Sequence, residues 1–397
     1  MPQEQRSADQ LRWFSAGQLL TLVRAEPGIT RAAAAARLGI GSGGATDLVS
    51  RLRRAELLDE RPAPVQGRGR PTTVLVPHPR GPMVLAAEVR AGDWRLATAS
   101  LDGKPEVIDH GEHARKQLPK LLAELTSAIG AAYRRAPDRI GVLSVSVAGT
   151  VSDSRLLQFT TRGWRDVELA GLAGGLPADA EVPLLIGNDA TLAGLAEART
   201  GAARGAGTAL HLIVAVGLGG ALVVDGVPVA GAHGAAGEYG HIPFGDPALV
   251  CPCGARACWD LTIDGRALAR HLGEPEPADP VGYAHGLLHK RRTARAGQAF
   301  SQVATALGAG IGGLVNLHDP DVVTLGGLAV GLRTAAPEAF EQAYFDGLMS
   351  YRKATPPPVR DGIHGDDAPL HGAVLSGLDH LTTHGALAEW ARTRVTA

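Results

Sequence analysis

The chain has 397 residues, of which 45% are hydrophobic and 20% are charged. This length exceeds what one hydrophobic core supports and predicts two or three domains, while the composition excludes a disordered or fibrous protein. The apolar run over residues 209–224 is interrupted by glycines, which favours two buried strands over a membrane span. Because no basic segment followed by an apolar one opens the chain, we expect a cytoplasmic protein without membrane contact.

Charge is distributed unevenly along the chain. Residues 1–80 contain 12 arginines and 7 acidic residues, a net charge of +5, and the remaining residues carry a net charge of −6. A basic segment attached to an acidic body is typical of proteins with a nucleic-acid-binding head.

Three helices are predicted in this basic segment. Ser15 is placed to cap the first helix, and Thr30 to cap a short alanine-rich helix that Gly39 ends in the C′ position. Ser42 is placed to cap the third helix, which carries leucine and valine on one face. The short turn between the second and third helices has the length found in helix-turn-helix units.

Two short strands, at residues 57–58 and 73–76, flank the loop QGRGRPTT and predict a wing. Residues 1–78 are therefore interpreted as a winged helix-turn-helix domain, whose third helix enters the major groove of double-stranded DNA. The candidate base-reading residues on that helix are Ser42, Thr46, Asp47, Ser50 and Arg51. Arg68 and Arg70 in the wing are candidates for phosphate or minor-groove contacts. A small helical dimerisation module with solvated arginines is the alternative.

The body begins after a proline-rich linker at residues 77–82. Strand patterns alternate with helical ones, which predicts an α/β fold, and two halves that each begin with a hairpin indicate two lobes around a cleft. The predicted strands cover residues 83–88, 94–101, 141–147, 182–186 and 322–325, with two more on either side of Gly217. The predicted helices cover residues 118–134, 190–198, 265–271 and 303–317, and a proline-rich excursion covers residues 274–296.

All three cysteines lie in one short segment after a histidine. The spacing His241-x9-Cys251-x-Cys253-x4-Cys258 offers four ligands for a closed tetrahedral zinc site, in which one structural Zn²⁺ per subunit would hold the loop in shape. Pro252 and Gly254 are expected to turn the loop so that the thiols converge. Three buried free cysteines are the alternative interpretation.

These motifs resemble the ROK (repressor, open reading frame, kinase) family, and in particular its xylose-repressor-like transcription regulators. The resemblance rests on the GRGRP wing, GNDA at 187–190, GAHGAAGEYGH at 231–241, CPCGARAC at 251–258 and DVVTLGG at 321–327. It implies a two-lobed, actin-like (ribonuclease-H-like) domain over residues 79–397 that binds a sugar between its lobes. Lobe 1 would cover about residues 79–189 and a C-terminal helix over 376–397, and lobe 2 about residues 190–375. It also implies dimers or tetramers on a two-fold DNA operator.

The resemblance assigns sugar-binding roles to Asn188, Asp189, Glu238 and His241, and His241 would also bind the zinc. In the kinases of the family the residue matching Asp189 is the general base. The family's usual glutamate after the last cysteine, a fifth sugar-binding position, is Asp260 here. Because aspartate is one methylene shorter, its hydrogen bond to the sugar would be lost or bridged by water. Taken alone, the Asn188-Asp189 pair would be interpreted as an ordinary helix cap, and only its place in the family pattern favours sugar binding.

The two phosphate-binding elements of the family's kinases differ here. In the opening hairpin, Glu88 stands for the kinase aspartate and Arg90-Ala91 for its two glycines, and residues 215–219 lack the hydroxyl and first glycine of the second loop. Because phosphoryl transfer needs close backbone approach to phosphates, we expect no enzymatic activity. The predicted function is a sugar-responsive repressor of carbohydrate-related genes. The alternatives are a sugar kinase with an added DNA-binding head and a regulator that responds to a protein partner.

Overall fold

The computed structural model describes residues 2–63, 72–113, 118–152, 154–159, 163–289 and 293–395. The helices are α1 Pro2–Ala25, α2 Arg31–Leu38, α3 Ser42–Arg54, α4 Leu118–Arg135, α5 Asp189–Thr200, α6 Gly265–Leu272, α7 Pro280–His289, α8 Ala294–His318, α9 Leu328–Ala335, α10 Pro337–Gly347, α11 Ser350–Lys353, α12 Ala368–Leu381 and α13 His384–Val395.

The strands are β1 Leu58–Pro62, β2 Thr73–Pro77, β3 Met83–Val89, β4 Asp93–Ala99, β5 Glu106–Glu112, β6 Ile140–Val147, β7 Thr150–Ser152, β8 Arg155–Phe159, β9 Trp164–Glu168, β10 Leu184–Asn188, β11 Thr208–Ala215, β12 Gly217–Val224, β13 Val227–Pro228, β14 Val322–Gly327 and β15 Val359–Asp361. They form sheets in the orders β1-β2, β10-β6-β3-β4-β5, β13-β12-β11-β14-β15 and β7-β8-β9. This alternation confirms the predicted α/β class.

The caps predicted in the head differ in their outcome. The Thr30 side chain accepts a hydrogen bond from the Ala33 N–H, and Gly39 ends α2 with a φ of 65°, as predicted. The Ser15 prediction is wrong, because nothing between residues 2 and 14 interrupts a helix and α1 runs through Ser15 from its start at Pro2. The Ser42 prediction is wrong by one residue, since Gly41 occupies the N-cap of α3 without a side-chain bond.

The predicted wing strands pair with each other. β1 and β2 are antiparallel, with Leu58 opposite Pro77 and Pro62 opposite Thr73. Buried apolar side chains from the three helices, both strands and the residue before β1 form the core of the head: Leu19, Leu20, Val23, Ala34, Leu48, Leu52, Leu57, Leu58 and Leu75. The tip of the wing, with Arg68 and Arg70, lies outside the described residues.

The described chain divides into two compact units. Unit 1 contains residues 1–145, 170–186 and 373–397, and unit 2 contains residues 146–169 and 187–372. The head thus lies in the same unit as the first part of the body, and the proposed division into domains at residues 78 and 79 stays a prediction.

In unit 1 the C-terminal segment packs against the head. The predicted single helix over residues 376–397 is wrong, because Thr383 caps a second helix: its hydroxyl accepts from the Ala386 N–H at 3.3 Å. The resulting α13 carries Trp390, whose indole N–H donates to the carbonyl of Ala55 at the end of α3. The third helix of the head is therefore attached to the last helix of the chain.

Unit 2 is built around the sheet of β11, β12, β14 and its neighbours. The apolar run over residues 209–224 forms β11 and β12, paired antiparallel as predicted, and β11 pairs with β14 in parallel. α8 is long and apolar enough to cross a membrane by length and composition alone, but 56% of that window is buried inside the protein. Its Phe300, Val303 and Leu307 belong to the core of the unit, which is the pattern of a core helix.

The excursion predicted over residues 274–296 contains a helix that the sequence interpretation missed. α7 begins at Pro280, a residue whose fixed φ suits the first turn of a helix. The Asp279 carboxylate accepts from the Gly282 N–H at 3.0 Å and caps that turn. The prolines therefore introduce this helix rather than prevent one.

Candidate metal and ligand site

Unit 2 brings the four predicted metal ligands together. One ligand atom from each of His241, Cys251, Cys253 and Cys258 lies within 4.8 Å of all the others. The Cys253 and Cys258 sulfurs are 3.7 Å apart, and the Cys251 sulfur is 3.8 Å from Nδ1 of His241. Corners of a tetrahedron with metal–sulfur bonds of 2.3 Å stand about 3.8 Å apart, so this donor set fits a four-coordinate zinc ion.

A tight turn makes the thiols converge. The N–H of Gly254 donates to the carbonyl of Cys251, and the N–H of Cys251 donates to the carbonyl of Ala255. Gly254 has a φ of +103°, a conformation that glycine adopts without a steric penalty. The predicted role of this glycine in turning the loop is confirmed.

Burial raises the pKa of the Cys258 thiol, and the neighbouring Cys253 adds to the effect. Burial likewise raises the pKa of the Cys251 thiol. A metal ion binds thiolates, so a cation at this position would supply the charge that keeps these two groups ionised. The group is therefore suited to hold a metal and poorly suited to nucleophilic chemistry.

The His241 ring faces the thiols on one side and a carboxylate on the other. Its Nδ1 lies toward Cys251, and its Nε2 is 3.9 Å from Oε2 of Glu238. A neutral imidazole that binds metal through Nδ1 carries its proton on Nε2. Metal binding would thus direct an N–H donor toward the space beside Glu238.

Asn188 and Asp189 lie where β10 meets α5, and both are half-buried. Asn188 is the N-cap of α5, because its side-chain oxygen accepts from the Thr191 N–H at 2.9 Å. Oδ1 of Asp189 accepts from the Ala190 N–H at 2.8 Å and from the Asn188 amide at 3.0 Å. The helix-cap interpretation is therefore correct for Asn188, and its sugar-binding role stays a prediction.

Glycines in β12 bring the parts of the site into contact. A side chain at Gly219 would lie 2.7 Å from Cβ of Ala190, and one at Gly220 would lie 2.7 Å from the Tyr239 ring. Ala190 follows Asp189, and Tyr239 lies between Glu238 and His241. Residues 215–219, the predicted remnant of a phosphate loop, and the adjacent Gly220 therefore pack closely against the segments that carry Asp189 and Glu238.

Asp260, the fifth residue predicted to contact sugar, is only 5% exposed. Its carboxylate lies 3.6 Å from Nη2 of Arg266, whose Nε donates to Asp264 at 2.6 Å. Burial raises the pKa of Asp260, although the Arg266 charge opposes the shift. Oδ1 of Asp260 has no hydrogen-bond partner among the described residues. Asp260 is thus buried in an ion pair with an arginine that the sequence interpretation missed.

In unit 1, the β3–β4 hairpin holds its carboxylates in ion pairs. Glu88 is 1% exposed, and Oε2 accepts from Nε of Arg95 at 2.9 Å and from a second Arg95 nitrogen at 2.5 Å. Arg90 forms a two-point pair with Asp93, at 2.6 and 2.9 Å. Burial raises the pKa of Glu88, and the Arg95 charge opposes that shift.

The candidate DNA-reading residues of α3 differ in exposure. Ser42, Thr46, Asp47 and Ser50 are exposed, whereas Arg51 is half-buried. Thr46 and Ser50 line a concave surface of the head that also carries three arginines the sequence interpretation passed over: Arg31, Arg53 and Arg54. Two of these, Arg31 and Arg53, lie within 4 Å of the Glu60 carboxylate.

Thr150 is a further site residue that sequence analysis did not find. Its hydroxyl donates to Oε1 of Glu238 at 2.6 Å across 88 positions of sequence. A single threonine after a buried strand carries no pattern, so only the fold reveals this contact.

Comparison with known proteins gives a consistent result. The ROK family profile matches residues 87–377. The chain is 26% identical over 265 residues to the glucokinase of Streptomyces coelicolor (strain ATCC BAA-471 / A3(2) / M145), a match that covers 62% of this chain and 82% of that enzyme. It is 25% identical over 228 residues to the xylose repressor of Bacillus subtilis (strain 168), covering 55% of this chain and 57% of that repressor.

A solved structure extends the likeness to nearly the whole chain. The crystal structure of a ROK family transcriptional regulator, a homolog of the E. coli MLC protein, superimposes with a TM-score of 0.75 and covers 96% of this chain and 99% of its own. At 21% identity this match shows a shared fold, with N-terminal helices of helix-turn-helix type before an actin-like α/β domain.

Proposed function

The chain belongs to the ROK family, and we propose that it is a sugar-responsive, DNA-binding transcription regulator, acting as a repressor of carbohydrate-related genes, and not a kinase. The family includes both classes: the relatives named above are a glucokinase and a xylose repressor. The choice between them therefore rests on the residues of this chain.

The ion pair between Glu88 and Arg95 is the observation that carries the proposal. A kinase carboxylate at this place must be free to hold Mg²⁺, but the carboxylate of Glu88 accepts two hydrogen bonds from the guanidinium of Arg95. Arg90 stands where the backbone of a kinase approaches phosphate, and its guanidinium is held by Asp93. Because Arg95 pairs with Glu88 and Arg90 pairs with Asp93, the hairpin lacks a carboxylate that could position the metal–nucleotide complex.

The head supports the DNA-binding part of the proposal. Exposed Thr46 and Ser50 face the same concave surface as the basic side chain of Arg54. The third helix of a helix-turn-helix presents its N-terminal half to base edges, while basic side chains around it contact phosphates. We assign base contacts to Ser42, Thr46, Ser50 and Arg51.

Two wing arginines complete the proposed DNA interface. Arg68 and Arg70 contact the phosphates or the minor groove, in a dimer or tetramer on a two-fold operator. A cytoplasmic location belongs to the same proposal.

The proposed zinc and sugar sites both lie in unit 2. One structural Zn²⁺ bound by His241 and the three cysteines fixes the His241 ring, and a neutral sugar or sugar derivative contacts Asn188, Asp189, Glu238 and His241. The donors and acceptors there suit hydroxyl groups, which both donate and accept. Asp260, which is paired with Arg266, supports the site without a direct bond to the sugar. The sugar changes DNA affinity only by its differential affinity for the two states of the protein.

Capture of bound genomic fragments tests this proposal. The purified chain is incubated with sheared DNA of its own genome at physiological salt, alone and with D-glucose, D-xylose or N-acetyl-D-glucosamine. We expect enrichment of two-fold sites beside carbohydrate genes, with recovery changed by one sugar. Capture without site preference would contradict the proposal.

A wing variant serves as the matched comparison in the same experiment. Replacing Arg68 and Arg70 with alanine removes two phosphate contacts, so binding to every duplex should weaken and its salt dependence should flatten, by up to about 0.9 in log–log slope per contact. Arg135→Ala, on the exposed surface of α4, should leave both unchanged. Equal binding by the wing variant would show that the wing does not contact DNA.

A further inference from the structure

The turn between β6 and β7 connects the two halves of the candidate ligand site. The carbonyl of Gly149 accepts from the Asn188 amide at 2.9 Å, and the hydroxyl of Thr150 donates to Oε1 of Glu238 at 2.6 Å. Asn188 and Glu238 lie on different elements, the start of α5 and the segment before His241. One short turn thus fixes the side chains of both.

From these contacts we propose that Thr150 is a positioning and specificity residue for the ligand, an inference that rests on the sugar-binding function proposed above. Its hydroxyl donates a hydrogen bond to Oε1 of Glu238, so that Oε2 is the oxygen that accepts from the ligand. A hydrogen bond to an ionised carboxylate is stronger than one between neutral groups, so this contact restricts the rotation of the Glu238 carboxylate.

The second carboxylate oxygen of Glu238, Oε2, lies near the Nε2 atom of His241. Oε2 of Glu238 is 3.9 Å from Nε2 of His241, too far for a direct hydrogen bond. A hydroxyl oxygen about 2.8 Å from both atoms can accept from Nε2–H and donate to Oε2. The pair therefore recognises one ligand hydroxyl, and Thr150 determines which Glu238 oxygen takes part.

The backbone of the turn packs closely against the neighbouring strand. Gly149 has a φ of +116°, and a Cβ at this position would lie 2.5 Å from the carbonyl oxygen of Gln158. A side chain at residue 149 would therefore collide with β8. Thr150 therefore presents its hydroxyl to Glu238 from a turn that packs closely against β8.

Sugar affinity of three threonine variants tests the proposal. Thr150→Val removes the hydroxyl at nearly constant volume, Thr150→Ser retains it, and Thr334→Val makes the same change on the exposed face of α9. Calorimetry with D-glucose, D-xylose and N-acetyl-D-glucosamine measures Kd for each zinc-loaded protein. For the sugar that the unaltered protein binds, we expect about tenfold weaker binding by Thr150→Val, and near-normal binding by the other two variants.

Loss of specificity is the second expected result. Without the hydrogen bond from residue 150 to Oε1 of Glu238, Thr150→Val should discriminate less between the bound sugar and its monodeoxy analogues. Its zinc content and Tm should stay close to those of Thr334→Val. Equal Kd values and equal discrimination for Thr150→Val and the unaltered protein would overturn the proposal and leave sugar sensing intact.

A measurement without sugar keeps the two proposals separable. In a double-mutant cycle of Thr150→Val and Glu238→Gln, we expect the two Tm decreases to be non-additive, because each variant removes the same hydrogen bond. Additive decreases would overturn the role of Thr150 even if none of the three sugars binds. Failure of all three sugars to bind the unaltered protein would instead count against the proposed function.

Discussion

The β3–β4 hairpin and the candidate ligand site both gather carboxylates, but they give them different partners. In the hairpin, Glu88 and Asp93 each face the guanidinium group of an arginine. In the ligand site, Asp189 accepts from amide N–H groups and Glu238 from a hydroxyl, all of them neutral donors. An arginine beside a carboxylate offsets its negative charge and so weakens its attraction for a metal ion. The oxygens of Asp189 and Glu238 are suited instead to accept from the hydroxyl groups of a ligand.

Removal of zinc should produce the largest change on the ligand-site side of this comparison. Cys253→Ser or His241→Ala deletes one of four ligands, so we expect metal content to fall from one zinc per subunit to nearly none. His233→Ala, an exposed histidine in the preceding loop, is the control and should retain the metal. Atomic absorption of the purified proteins gives the answer, and retention of one zinc by Cys253→Ser would show that the ligand set is wrong.

Removal of the hairpin cation should produce the next largest effect. Arg95→Ala leaves the buried Glu88 carboxylate without its counterion, which typically costs about 3–5 kcal/mol of folding free energy. Arg90→Ala breaks a pair whose side chains are each 36% exposed, so its cost should be below about 1 kcal/mol. Urea denaturation of both variants measures the difference. Similar losses would mean that Arg95 does not compensate a buried charge.

Removal of a ligand-site charge should affect binding more than stability. Asp189→Asn weakens a charged acceptor, so sugar affinity should fall about 10- to 100-fold. The Tm should change little because Asn188 still caps α5. Glu338→Gln makes a comparable change on the surface of α10 and should alter neither quantity. Titration calorimetry and thermal denaturation would contradict this account if the Tm fell sharply with Kd unchanged.

The pH dependence of stability should have opposite signs for Glu88 in the hairpin and for His211 in the sheet of unit 2. Complete burial lowers the pKa of His211 on β11 to about 4, although the charge of Glu197 opposes the shift. The contribution of His211 is therefore fully present above pH 6.5 and is lost as the pH falls through about 4. Burial raises the pKa of Glu88 above 4.5, so its contribution is present below pH 4.5 and is lost as the pH rises through the folded value.

Variants at these two positions isolate the two contributions. Between pH 4 and pH 8, His211→Asn should reduce the loss of stability on acidification. Glu88→Gln should change the slope in the opposite direction. Urea denaturation at each pH measures the free energy of unfolding. If both variants change its pH dependence in the same direction, one of the two pKa shifts has been assigned wrongly.

The sequence predicted those parts of the molecule that depend on local spacing. The Cys251–Cys258 turn, the Gly39 helix end and the pairing of β1 with β2 all follow from residues that are close in the chain. The contact of Thr150 with Glu238 could not be predicted, because it depends on where two turns meet in space.

The errors have similar physical causes. Ser15 and Thr383 are both residues that favour helix starts, but only Thr383 lies where a helix must begin again. The ion pair between Asp260 and Arg266, which belongs to the next helix, was likewise not predicted. Single capping residues and single carboxylates therefore acquire their roles from tertiary contacts that a sequence pattern does not contain.

Steady release of ADP is the most direct test of the claim that the hairpin is closed to nucleotide while the ligand site remains functional. The zinc-loaded protein is incubated with Mg-ATP and each of D-glucose, D-xylose and N-acetyl-D-glucosamine, in parallel with Asp189→Ala. We predict no ADP above the level of the Asp189→Ala control with any sugar. Sustained turnover with one of them, abolished by Asp189→Ala, would contradict the account and identify the chain as a kinase.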